Sequence, residues 1–104
     1  MNAFTWSKAE KKIEKEAFDK AYQRENKTLI KEIKAYKLEQ PEDIWSLSEM
    51  LKKREKEINN IYDYRYSQLT IVFGMLIKRG FLSIDELDGL SADKLEQIQK
   101  ITSI

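Results

Sequence analysis

The chain has 104 residues, of which 36% are charged and 41% hydrophobic, with 19 basic and 18 acidic side chains giving a formal net charge of +1. Balanced charge without a basic stripe argues against nucleic acid as a partner. The absence of cysteine and histidine removes disulfides, thiolate chemistry, the commonest zinc ligands and the usual base near neutral pH.

The first helix is expected to open at Ser7, which with Glu10 has the spacing of a capping box. Phe4, Ile13, Ala17, Ala21, Leu29, Ile33 and Tyr36 then recur at helical spacing. No proline or glycine interrupts residues 7–38, so the helix is placed at about 6–38. Near its start, Lys8, Lys11, Lys12 and Lys15 form a lysine-rich stretch that Glu10 and Glu14 dilute.

Pro41 disfavours helical geometry at Gln40 and suits the first turn of a second helix. Glu42 and Asp43 follow, where the helix dipole favours negative charge. This helix is expected to run unbroken over about 41–79, with Gly80 as its stop. Ser83 and Glu86 repeat the capping-box spacing and open a short helix, 83–88, closed by Gly89. Ser91 starts the last one, 91–102, with Leu95, Ile98 and Ile101 on one face. The fold class is all-α: a long antiparallel hairpin and two short C-terminal helices forming a head, in one domain.

A helix of 41–79 would be ~57 Å long at ~1.5 Å per residue. A globule of about 100 residues is only ~35 Å across, from a radius of gyration near ~13 Å. Ile44, Ser48, Leu51, Glu55, Ile58, Tyr62, Arg65, Leu69, Val72 and Leu76 follow a four-three spacing along it, and Leu47 and Ile61 widen the apolar surface beyond one stripe. The near-continuous apolar run Leu69–Ile77 reads as buried all round. These demands point to a homodimer built on the second helix. A break near Asn59-Asn60, giving a monomeric bundle, is the alternative.

Several positions carry candidate chemistry. Trp45, in the first turn of the second helix, is either a packing cap over the hairpin loop or an anchor for a partner. Glu49, Lys52, Lys53, Arg54, Glu55, Lys56 and Glu57 read as a solvated charged face or an electrostatic docking surface with Arg54 as its most specific donor. Arg65 lies on the apolar register, where an unpaired charge is costly. It needs a carboxylate or a stacked tyrosine, and Asp63 or an acid of a partner chain can serve. No phosphate loop, metal-ligand cluster or nucleophile elbow is present, so neither catalytic residues nor a cofactor are expected. No secretory leader and no apolar run approaching ~20 residues is visible, so a cytoplasmic location without membrane insertion is expected.

Trp6-Ser7, Phe18-Asp19-Lys20-Ala21-Tyr22-Gln23-Arg24-Glu25, Ile44-Trp45-Ser46-Leu47, Arg54 with Glu57-Ile58, Tyr62-Asp63-Tyr64-Arg65, Val72-Phe73, Glu86-Leu87-Asp88-Gly89-Leu90 and Ala92-Asp93-Lys94-Leu95 follow one another in an order that resembles the fluorescence recovery protein family, from about Trp6 to Ile101. The resemblance implies a helical dimer with a smaller helical head. It also implies binding to photoactivated orange carotenoid protein, whose return to the resting form such proteins speed, relieving quenching at the light-harvesting antenna. By the same resemblance Trp45 matches the family's tryptophan, Glu49 an acidic position and Arg54 the functional arginine. Phe73 and Lys94 fall in the head used for partner contact. Ser48 stands where the family has histidine.

Overall fold

The computed structural model describes residues 5–104, so Phe4 of the first periodic set lies outside the described residues. Helix α1 spans Lys8–Ala35, α2 Pro41–Ile61, α3 Leu69–Lys78 and α4 Ala92–Ser103, with a single 3₁₀ turn at Ile84–Leu87. The capping box at the start of α1 is formed as its spacing implies. The Ser7 amide donates to Glu10 Oε1 at 3.0 Å, and the Glu10 amide to Ser7 Oγ at 3.1 Å. At α2, Asp43 Oδ2 accepts from the amides of Glu39 and Gln40, both at 2.8 Å, and Pro41 occupies the first turn. The first helix stops at Ala35 rather than 38, where Tyr36 turns extended.

The expected 41–79 helix is broken. It ends at Ile61 and resumes only at Leu69, leaving Tyr62–Gln68 outside any helix. The cause is tertiary. The backbone there runs through tight turns, with the Asp63 amide on the Ile61 carbonyl and the Arg65 amide on the Asp63 carbonyl, both at 2.9 Å, and Tyr62, Tyr64 and Tyr66 all face α1. Tyr62 Oη donates to Glu25 at 3.0 Å, and Tyr64 Oη to Glu14 at 2.6 Å. Tyr66 packs on Trp6 with ring centroids 5.7 Å apart. A continuous helix would point these rings to different faces and strand both glutamates. Asn59, Asn60 and Asp63, all weak helix formers, lower the cost of the break.

Because of the break, α3 turns back into the head. Phe73, Leu76, Leu87 and Ile98 are fully buried there, with Leu69, Val72, Leu82 and Leu90 around them. The expected all-round burial of Leu69–Ile77 holds for most of the run, but Ile71 and Met75 face outward. Helices α3 and α4 cross closely at Gly74: a Cβ there would sit 2.4 Å from Ile101 Cβ. Gly80, at φ +82°, ends the α3 turn, and the Phe81 amide reaches back to the Leu76 carbonyl at 3.0 Å. The molecule measures 53 × 25 × 24 Å with a radius of gyration of 16.4 Å, well above the ~13 Å of a compact chain of this size. The elongation comes from the arm, where α2 lies antiparallel to the end of α1.

Candidate functional site

Two surfaces compete for the role of a binding site. The first is the outer face of α2. Trp45 is 68% exposed and Ile44 53%, so Trp45 does not cap the hairpin loop. Ile44, Leu47, Ser48, Leu51, Lys52 and Glu55 line an open groove of about 460 Å³. Ile30, Ile33 and Leu38 add exposed apolar surface at the same end of the arm. An isolated exposed hydrophobe needs no explanation, but a contiguous row along one helix does. Glu49 is exposed and Ser48 half-buried on this stretch.

The second is a polar network between arm and head, built around Glu25, which has no solvent access. Its carboxylate accepts from Tyr62 Oη and from the Arg79 guanidinium. Arg54 Nη2 lies 3.7 Å away. Arg54 Nη1 grips both oxygens of Glu32, at 2.9 and 2.8 Å. Arg79 also reaches Glu57 at 3.9 Å. Three glutamates and two arginines from α1, α2 and the end of α3 thus form one network, in which the buried Glu25 charge is compensated by both arginines. Burial and the Glu25 hydrogen bond push the Tyr62 phenol well above its ordinary pKa, so it remains a donor.

Two further acids of α1 are buried in the head. Glu10 accepts from the Ser91 amide at 2.8 Å and from Lys94 Nζ at 3.1 Å. Burial pushes its pKa up, but the amides of Ser7 and Ser91 and the Lys94 ammonium outweigh it and hold the carboxyl at about 2. Glu14, 1% exposed, has only the Tyr64 hydroxyl on Oε1, and no group reaches its Oε2. Burial therefore raises its pKa. Outside, Arg24 clamps Glu86 at 2.7 and 2.8 Å and holds that carboxyl near 2.

The residues singled out from sequence do not converge. Trp45, Ser48 and Glu49 sit together near the tip of the arm. Arg54 faces inward to α1, so it is not the free donor of a docking surface. Arg65 pairs with Asp63, Nε to Oδ1 at 2.8 Å, but on an exposed bend rather than a buried register. Phe73 has no solvent access, and Lys94 is 3% exposed between Glu10 and the Trp6 ring, 4.8 Å from its centroid. Both support the head from within. Sequence reasoning missed the three buried glutamates. Their signal was the register Glu10, Glu14, Ala17, Ala21, Glu25, which is the buried face of α1.

Among the described residues, no cluster of acids is arranged to hold a metal ion, and no helix is long and apolar enough to cross a membrane. Residues 6–102 match the photoprotection regulator fluorescence recovery protein family. The chain belongs to that family. It is 36% identical over 101 residues to the fluorescence recovery protein of Synechocystis sp. (strain ATCC 27184 / PCC 6803 / Kazusa), covering 95% of this chain and 93% of the relative. The solved fluorescence recovery protein of Fremyella diplosiphon superposes with a TM-score of 0.91 at 41% identity, over 96% of this chain and all of that one. The solved Synechocystis protein gives the same TM-score at 35% identity and the same coverage. The all-helical fold and the role of photoprotection regulator are those of the fluorescence recovery protein family.

Proposed function

We propose that this chain is a non-enzymatic cytoplasmic regulator that acts as a homodimer on photoactivated orange carotenoid protein and speeds its return to the resting state. The observation that carries this reading is the likeness to fluorescence recovery proteins over nearly the whole chain, in sequence and in fold. A protein of this kind needs no covalent chemistry. It binds a state between two conformations of its partner better than either end state, and so shifts populations or lowers the barrier between them.

The homodimer is supported by the outer face of α2, where Ile44, Trp45, Leu47 and Leu51 leave apolar surface uncovered along the arm. Pairing two such faces buries surface of the kind a stable interface needs, about 1,200 Å² or more in total. Sedimentation at micromolar concentration checks it: a dimer is expected, and a monomer would remove this part of the reading.

The decisive measurement is dark recovery of the activated carotenoid protein with and without the chain. Faster recovery is expected. Unchanged recovery at saturating concentration, with the dimer intact, would leave a second reading in force, in which the same fold serves a different protein partner. The absence of histidine, with Ser48 where the resemblance puts one, favours that second reading. A Ser48→His variant that gains activity where the parent has none would confirm it.

A further inference from the structure

We infer that the N-terminal half of α1 carries a second docking surface, separate from the α2 face, that fits a short acidic segment of a protein partner. In the sequence Glu10 and Glu14 dilute the lysines around them. In the fold they do not, because both point inward, Glu10 to Lys94 and Ser91 and Glu14 to Tyr64. The outer face keeps Lys8, Lys11, Lys12 and Lys15, all exposed. At about 100° per residue these four fall within an arc of about 100°, over about 10 Å of helix. Among the described residues only Lys15 pairs with an acid, Asp19 at 3.2 Å.

Two tyrosines complete the surface. Tyr64 and Tyr66 are about two-fifths exposed. Lys15 Nζ stands 5.3 Å from the Tyr64 ring centroid, and Lys11 Nζ 5.4 Å from that of Tyr66. The tyrosines and lysines therefore form one patch, in which the tyrosines are of the type protein interfaces favour as anchors and the lysines supply the positive charge.

Lys8 and Lys11, in the first turn of α1, occupy the wrong end of the helix for stability. The N-terminus of α1 is the positive pole, where acids stabilise and cations do not. Lys8 with Lys12 and Lys11 with Lys15 are also like-charge neighbours four residues apart, each pair costing a few tenths of a kcal/mol. A local conflict of this kind marks a functional surface when a partner relieves it, and an anionic segment does so here. The patch does not suit a long polyanion, because Asp19 closes the stripe one turn further on and Glu16 flanks it. None of this depends on the carotenoid-protein reading, and a chain inactive in dark recovery retains the surface.

The test is titration of the full-length, isotopically labelled chain with a ten-residue peptide of alternating Asp and Glu, followed by amide chemical shifts. Shifts are expected at residues 8–19 and 64–66, with affinity falling at least tenfold on raising the salt. Lys8→Glu, Lys11→Glu, Lys12→Glu and Lys15→Glu together should cut binding at least tenfold. The corresponding Lys→Gln set gives the same loss of binding should the reversal disturb folding. Reversing Lys27 and Lys31, further along α1, should leave binding unchanged. Shifts elsewhere, or binding indifferent to the reversal, overturns the proposal. So does a single-stranded RNA oligonucleotide of equal charge that binds this face more tightly than the peptide.

Discussion

In the head, Phe73, Leu76, Leu87 and Ile98 lose all contact with solvent, whereas Ile58 is the one buried residue of the whole of α2. The two ends are held by different forces. Apolar burial, worth about 25 cal/mol per Å², closes the head. The arm is joined to α1 largely through long side chains: Arg54 on Glu32, and Tyr62, Arg54 and Arg79 around Glu25. A helix attached in this way keeps its outer face free for another surface. The head is a self-sufficient core, and the arm is unfinished until something covers it.

Truncation at the two ends gives the sharpest test of that contrast. Phe73→Ala should cost about 3–5 kcal/mol, the usual loss for a buried phenylalanine, read from chemical denaturation. Gly74→Val comes next at about 1–3 kcal/mol, because its side chain would collide with Ile101 and force α3 from α4. A melting temperature unmoved by Gly74→Val would mean that the two helices do not cross as closely as described.

Acid should act on the head's attachments. Glu10 and Glu86 have folded pKa values held near 2, below the ordinary 4.5. Their stabilisation is complete above about 4.5 and is lost as pH falls toward about 2, on the order of 2 kcal/mol for the buried Glu10. Glu10→Gln should flatten this part of the stability profile, and an unchanged acid transition would remove Glu10 as its source. Glu14 has the opposite sign. Its raised pKa means that burial penalises the charged form at neutral pH, so Glu14→Gln should stabilise near pH 7, an advantage that shrinks in acid and is read from denaturation at the two pH values. The smallest effect on folding belongs to Trp45→Ala. Exposed as it is, it should move monomer stability by under about 0.5 kcal/mol, yet weaken self-association in sedimentation. A large loss of monomer stability instead would show that the arm is packed after all.

What was legible in the sequence was local. The Ser7–Glu10 box, Pro41 at the start of α2 and Gly80 after α3 act within a few residues of themselves, and each does what its spacing implies. The ordered motifs from Trp6 to Ala92-Asp93-Lys94-Leu95 carried the family. The break at Tyr62 falls two residues past the Asn59-Asn60 alternative, and an unbroken helix is the first reading because a four-three register continues straight through it. The competing period of two in Tyr62, Tyr64 and Tyr66 gains its meaning only from glutamates 37 and 50 residues away. The same distance hid the roles of Arg54 and Lys94. Each has the composition of a surface contact and is instead spent on an acid of α1. For Trp45 the exposure removes the packing cap of the two readings the sequence allows.

The bend at Tyr62–Gln68 makes α2 a lever. From Ile61 back to Trp45 the helix is about 24 Å long at ~1.5 Å per residue, and between those ends Arg54 ties it to Glu32 of α1. A rotation of about 5° beside Glu25 would carry the tip through roughly 2 Å by the same helical rise. A load on the tryptophan end of the arm would therefore bear on Glu25, the buried carboxylate that α1, the arm and the head share.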